Sequence, residues 1–143
     1  MYTEAYDIDM FLIDKNDDIV FIASGGGDLP FTINELDCDI LKEYFINSPN
    51  IGDYEVSNNL KSILGEFNEK TLFEFTSLSK KGIYSFDKTK LNDSGDLNYH
   101  LVSIPEAKIN LNSLPTKIQN ILSKNKLNVN VKDKYSINLF SDL

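Results

Sequence analysis

Apolar and polar positions alternate near the start of the chain, which predicts two strands there. The first alternating segment is 6–14, and after a polar turn at 15–18 an apolar, β-branched and aromatic run occupies 19–24. Successive side chains of a strand point to opposite faces, so a period of two is the pattern of a strand. The two runs, separated by a short turn, predict a hairpin.

A helical period replaces this alternation in two later segments. Asn34 precedes the first segment as an N-cap, and the helix should end before Pro49. Ser113 is the expected N-cap of the second segment, 113–125, with Pro115 in its first turn. The apolar positions at helical spacing are Leu36, Ile40, Leu41 and Tyr44 in the first helix, and Leu114, Ile118, Ile121 and Leu122 in the second.

The remaining segments predict more strands and one further helix. The expected elements are a short strand at 54–57, a helix at 58–67, a hairpin of strands 71–78 and 83–88 turning at Gly82, a strand at 97–104, and a final hairpin of 127–131 and 135–140. This order lacks the strand–helix–strand alternation of a parallel sheet. It therefore predicts a single α+β domain over residues 1–143, a mostly antiparallel β-sheet with two to three α-helices packed on it.

The charge of the chain is large and unevenly distributed. The net charge of the 143 residues is −8, with eleven acids against two lysines in 1–50 and three acids against six lysines in 101–143. Every basic residue is a lysine, so the bidentate guanidinium that commonly holds phosphate is missing. An acidic chain is repelled by phosphate, so we expect no nucleic acid and no membrane as a partner, and a basic protein instead.

Three sequence features bear on the cellular compartment. No run of 18 apolar residues occurs, the first residues lack the basic region of a signal peptide, and the single Cys38 has no internal disulfide partner. Together they predict a cytoplasmic protein.

The segment "IASGGGDLP" contains three consecutive glycines between a predicted strand and a predicted helix. That context suits a phosphate-binding loop, but Pro30 stands where the dinucleotide motif needs its third glycine, and no Lys-Ser/Thr follows. Asp28 also places a negative charge where a phosphate would lie. Two alternatives remain open for Gly25–Gly27, a purely structural bend or a loop that contacts a partner, and no cofactor is expected.

Candidate metal ligands fail on their spacing. Asp14, Asn16 and Asp18 match the first, third and fifth positions of a calcium loop, but Ile19 replaces its glycine and Gly25 its final glutamate. One histidine and one cysteine do not assemble a zinc site from nitrogen and sulfur donors alone. No metal is expected.

Two residues keep an enzymatic alternative open. Cys38 and His100 are the only cysteine and histidine, and a catalytic dyad of the two, or a pair among the 22 acids, would define a small enzyme. No segment resembles a nucleophile motif, so no catalytic residue is assigned. A structural or assembly role is the third alternative, and the oligomeric state is left open.

The acid-rich first third of the chain carries the leading hypothesis. Its acids lie on the predicted hairpin, its turns and the first helix, and they are expected to share one solvent-facing surface that docks a basic protein. An alternative is that the charge serves solubility alone. The candidate partner-binding residues are Asp14, Asp17, Asp18, Asp28, Glu35, Asp37, Asp39, Glu43 and Tyr44.

A short, acidic, single-domain α+β chain with no catalytic motif resembles the small immunity proteins of bacterial toxin systems, and "IASGGGDLP" is the segment closest to a signature. The resemblance is one of class and covers the whole chain. It implies a non-enzymatic, cytoplasmic protein that neutralises a cognate basic toxin by covering it. It also implies tyrosine anchors at the interface, for which Tyr6, Tyr44 and Tyr54 are the candidates.

Overall fold

The computed structural model describes these parts of the chain: residues 2–3, 8–25, 29–30, 33–60, 70–90, 93 and 95–143. Their strands are β1 (Tyr2–Thr3), β2 (Asp9–Ile13), β3 (Ile19–Ala23), β4 (Leu29–Pro30), β5 (Tyr54–Val56), β6 (Tyr84–Lys88), β7 (Asn98–Pro105) and β8 (Ser136–Asn138). Their helices are α1 (Glu35–Ile46), α2 (Phe73–Ser79) and α3 (Thr116–Leu122), with 3-10 turns at Leu111–Ser113 and Val131–Asp133.

Six strands form one mixed sheet in the order β2-β3-β6-β7, and β5 and β8 both pair with β7. β8 lies along the start of β7 and β5 along its end, so they share the edge of β7 that β6 leaves open. Within this sheet the described pairs are antiparallel apart from the parallel pair β3–β6. β1 and β4 form a separate antiparallel pair. The predicted α+β class with a mostly antiparallel sheet is confirmed.

The sheet is covered on both faces, which explains why β2 and β3 are apolar on both sides. Phe11 and Phe21 belong to a cluster that includes residues of α1, α2 and α3. Met10 and Ile22 belong to a second cluster, in which strand residues pack with residues from the end of the chain and with Cys38 of α1. The C-terminal members of that second cluster are Leu127, Val131, Ile137 and Leu139.

Residues 71–78 were expected to be a strand, and that prediction is wrong. The segment contains helix α2, which buries Phe75 and Leu78 at helical spacing and leaves Phe73 exposed. The predicted turn residue Gly82 does adopt a positive φ of 96°. It links α2 to β6, whose neighbours in the sheet are β3 and β7.

The final hairpin is also a wrong prediction. Residues 127–131 form no strand; instead the Leu127 N–H donates to the Ile13 carbonyl and the Lys15 N–H to the Val129 carbonyl. The last strand, β8, pairs with β7. The segment 127–129 therefore bonds to the C-terminal end of β2 and the residues that follow it, and it does not pair with β8.

The helix starts and ends divide between correct and incorrect predictions. Asn34 caps α1 by accepting the Asp37 N–H at 3.1 Å, and the helix ends before Pro49 as expected. Pro115 is the N-cap of α3, and the predicted cap Ser113 lies in the preceding 3-10 turn. Most of the helix predicted at 58–67, namely residues 61–67, lies outside the described part of the chain.

Candidate protein-binding surface

Helix α1 is held on the sheet by one face and presents the opposite face to solvent. Cys38, Leu41 and Phe45 are buried at intervals of three and four residues. Leu36, expected on that buried face, is 67% exposed instead. The outward face of α1 therefore carries both acids and apolar side chains.

Asp14 was expected to face a partner, but it is fully buried. Its Oδ1 accepts the N–H groups of Asn16 and Asp18, each at 2.9 Å, and its Oδ2 accepts the Val131 N–H at 2.9 Å. The carboxylate thus joins the β2–β3 turn to the C-terminal segment. The expectation that Asp14 lies on a solvent-facing surface is wrong.

Three other acids of the predicted surface are paired with lysines from the far end of the chain. Lysine Nζ atoms lie within salt-bridge distance of carboxylate oxygens in the pairs Asp37–Lys124 at 2.7 Å, Asp17–Lys126 at 3.0 Å and Asp18–Lys108 at 3.4 Å. These pairs are partly exposed, so each contributes about 0–1 kcal/mol to stability. Their larger effect is to neutralise acids that the sequence alone leaves unbalanced.

The environment of Asp18 differs from that of the other paired acids. Burial, together with the nearby charge of Asp14, raises the pKa of the Asp18 carboxyl, and the attraction of Lys108 does not fully offset this. Lys108 also lies over the ring of Tyr84, with Nζ 5.9 Å from the ring centroid. Asp18 is thus committed to a cluster within the fold.

Three acids of α1 remain on the surface and have no lysine partner in the described part of the chain. Glu35, Asp39 and Glu43 are exposed and follow one another at intervals of four residues. Among the described residues, none of the three has a lysine Nζ within 4 Å. We call these three residues the α1 acidic stripe.

The predicted tyrosine anchors that the structure describes, Tyr44 and Tyr54, are less exposed than the acids of the stripe. Tyr44 is half-buried and packs edge-on against Phe45, with ring centroids 5.3 Å apart. Tyr54 is half-buried, and Lys80 Nζ lies 5.7 Å from its ring centroid. Tyr6 and the candidate acid Asp28 lie outside the described residues.

A cavity of about 500 Å³ opens between α1 and α2, and we call it the α1–α2 groove. Phe11, Phe21 and Leu78 are among the residues that line it, so part of its wall is the apolar core between helices and sheet. Ile46 and Phe73 also line it and are 55% and 69% exposed. Large apolar side chains that remain in water beside a groove are typical of a binding site.

The three lysines that line the groove are held within the fold. Lys42 Nζ donates to Asp9 Oδ2 at 2.6 Å. Lys81 Nζ donates to the carbonyls of Ile46 and Ser48, at 3.2 and 2.5 Å, at the C-terminal end of α1. The third, Lys80, is the one that lies over Tyr54. The groove therefore does not offer a set of uncommitted cations to an anionic ligand.

The triglycine loop meets a second cavity of about 380 Å³, which shares the Lys42–Asp9 pair with the groove. Gly25 lines it and has φ of 58°, a left-handed conformation that favours glycine. The rest of the run, Gly26 and Gly27, lies outside the described residues.

No family model, curated protein or solved structure matches this chain. The function must therefore be argued from the geometry of its own residues. Within the described part of the chain, no helix is long and apolar enough to span a bilayer. The same part contains no group of three or more potential metal ligands from His, Cys, Asp and Glu.

Cys38 and His100, the candidate dyad, have environments that suit packing residues. Burial and the acids around Cys38 raise the pKa of its thiol to about 11, so little thiolate forms near neutral pH. Burial lowers the pKa of His100, whose Nδ1 lies 3.2 Å from Thr89 Oγ1. An activated cysteine requires a lowered thiol pKa, which is the opposite of what Cys38 has.

Sequence reasoning identified the stripe acids but not the groove. Glu35, Asp39 and Glu43 follow from charge and helical spacing alone. The groove depends on Phe73 lying on a helix, and its segment was predicted to be a strand. The exposed aromatic at position 73 could have been found only by testing residues 71–79 against both the strand period of two and the helical period of 3.6.

Proposed function

We propose that this chain is a non-enzymatic binding protein that docks α1 on a basic protein, and that this partner is a cognate bacterial toxin neutralised by the docking. The observation that carries the proposal is the α1 acidic stripe, three exposed acids with no lysine partner among the described residues. In the fold, most of the other candidate acids are buried or paired. Of the exposed candidate acids that the structure describes, the three stripe residues are the ones that have no lysine partner there.

The mechanism of such a protein is occlusion. Opposite potentials on two proteins raise the association rate by about 10–1,000-fold, which suits rapid capture of a toxin before it acts. The complex then covers the active site or a neighbouring surface of the toxin. An immunity protein of this kind acts in the cytoplasm of the toxin-producing bacterium. This role requires no cofactor, metal or catalytic residue in the chain.

The test compares two variants that lose the same charge. The stripe variant carries Glu35→Gln, Asp39→Asn and Glu43→Gln. The control variant carries the same kinds of change at three exposed acids outside α1, namely Asp53→Asn, Glu55→Gln and Glu106→Gln. Affinity capture from the host lysate with the wild type should yield a basic protein that the stripe variant loses and the control variant retains.

Two further measurements connect capture to neutralisation. Association of the purified partner with the wild type should slow at least tenfold between 50 and 500 mM salt, and much less for the stripe variant. Expression of the partner alone should arrest growth, and co-expression of this chain should restore it. A captured partner that is acidic, that binds both variants equally, or that causes no growth arrest would contradict the proposal.

A further inference from the structure

The α1 acidic stripe and the α1–α2 groove lie on the same side of α1. Counting from Glu35, the residues Asp39, Lys42 and Ile46 follow at intervals of four, three and four, which is the spacing of neighbours along one side of a helix. Lys42 and Ile46 line the groove. A molecule lying along this side of α1 would therefore meet acids first and the groove next.

The helix rise sets the distance between the two features. Asp39 and Ile46 are seven residues apart, which corresponds to about 10 Å along the axis of α1. Glu43 is less than one turn from Ile46. A binding segment that reaches both features therefore needs a cationic group and an apolar group about 5–10 Å apart.

The groove is lined by three lysines and by two acids, Asp9 and Glu74, so it suits an apolar group, and the place for the basic groups of an occupant is the α1 acidic stripe. The lysines that line the groove already bind Asp9, backbone carbonyls or the ring of Tyr54. The stripe acids have no such lysine partner among the described residues. An occupant with basic groups complements the stripe, and its apolar group would cover Ile46 and Phe73.

We infer that the α1–α2 groove receives one apolar side chain, aromatic or leucine, from a basic segment of a protein partner whose lysines or arginines pair with the α1 acidic stripe. This inference rests on the proposed function and adds the chemistry of the contacting segment. The apolar side chain anchors the complex because it moves out of water into the groove. The charge pairs fix the direction of the partner segment along α1. The partner segment is thus amphipathic, with the anchor beyond its basic residues toward the C-terminal end of α1.

A random library of 12-residue peptides displayed on phage is the probe. It is selected on the wild type, on Phe73→Ser and on the stripe variant. Phe140→Ser is the matched control, because Phe140 is 73% exposed but does not line the groove. The wild type and Phe140→Ser should enrich peptides that combine one aromatic residue or leucine with at least two lysines or arginines.

The best synthetic peptide should then bind Phe73→Ser and the stripe variant at least tenfold more weakly than the wild type, and Phe140→Ser within about twofold, as expected for a central aromatic against an uninvolved one. Since Phe73 is 69% exposed, its replacement should leave thermal unfolding nearly unchanged. Ile46→Ser is the second groove variant and should give the same loss of binding.

The outcomes separate this inference from the proposed function. Basic peptides that bind Phe73→Ser and Ile46→Ser as well as the wild type would overturn the groove inference and leave the proposed function standing. Apolar or acidic peptides that bind the stripe variant normally, or failure to enrich any peptide, would overturn the groove inference, while the capture and growth experiments decide the proposed function separately. A wild-type dimer in light scattering that Phe73→Ser converts to a monomer would assign the groove to a second copy and overturn the inference.

Discussion

Replacing Asp14 tests the role assigned to the buried carboxylate between the β2–β3 turn and the C-terminal segment. In Asp14→Ala, the buried N–H groups of Asp18 and Val131 lose their acceptor, while the N–H of exposed Asn16 can bond water. Each unsatisfied buried N–H costs about 1–3 kcal/mol, so we expect a loss of about 2–6 kcal/mol. The free energy of unfolding of a small protein is about 5–15 kcal/mol, so this loss would be a large fraction of the total stability.

Two conservative variants refine this prediction. Asp14→Asn retains one acceptor oxygen but turns an amide N–H₂ toward the Val131 N–H, so it should cost about 1–3 kcal/mol. Asp17→Asn is the control from the same turn; its carboxylate is exposed and forms an ion pair with Lys126, and we expect a change within about 1 kcal/mol.

Urea unfolding followed by far-UV circular dichroism measures these differences, since the chain has no tryptophan. With a slope of about 2 kcal/mol per molar urea, Asp14→Ala should lower the midpoint by about 1–3 M at an unchanged slope. A midpoint shift no larger than that of Asp17→Asn would refute the assignment. So would a loss of partner binding in folded Asp14→Asn as large as in the stripe variant.

Three further predictions concern single residues. Gly82→Ala should destabilise by about 2–5 kcal/mol in thermal unfolding, because φ is 96° and a Cβ would lie 2.5 Å from the Ile109 nitrogen; an unchanged midpoint would contradict this. Burial lowers the pKa of His100, so its stabilising contribution is present above pH about 6.5 and is lost as the pH falls below that. His100→Gln should therefore lose less stability than the wild type between pH 7 and 5, and equal losses would contradict this. The Cys38 thiol, with its pKa raised to about 11, should react with iodoacetamide at pH 8 about 100-fold more slowly in the folded chain than in urea, and comparable rates would contradict its burial.

The parts of the fold that the sequence predicted well are those with local cues. The β2–β3 hairpin follows from two apolar runs and a polar turn, and α1 lies between a capping Asn34 and Pro49. Neither element needs knowledge of distant residues to be recognised. The general class, α+β with a mostly antiparallel sheet, could be predicted for the same reason.

The wrong predictions arise where a short segment satisfies two periods at once. Leu72, Phe73, Phe75 and Leu78 fit both an alternating strand and a short helix, and only the core decides between them by burying Phe75 and Leu78 and leaving Phe73 exposed. Residues 127–131 alternate strictly, but two backbone bonds to the end of β2 replace the expected hairpin. Tertiary contacts determined both segments.

In the candidate site, too, local spacing predicted some features and long-range contacts determined the others. Helical spacing alone placed the stripe acids on one surface. Asp14 and Asp17 look alike in sequence, yet one is buried and the other exposed. The lysine partners of Asp18, Asp37 and Asp17 lie 90, 87 and 109 residues away along the chain, so local charge counts overstated the acidity of this surface.

The position of β7 has a consequence for how the chain folds. β6 pairs with one of its edges, and β5 and β8 share the other, so β5 and β6, which precede Asn98–Pro105 in the chain, cannot complete their ladders until it has been synthesised. During synthesis, the sheet therefore closes only after β7 has left the ribosome. The pairing of β5 with β7 joins segments that are distant along the chain, and pairing of this kind slows folding toward the range of milliseconds to seconds. Until β7 pairs with β6, that edge of β6 is unpaired and exposed to association with other chains. A chaperone would be needed most at this edge.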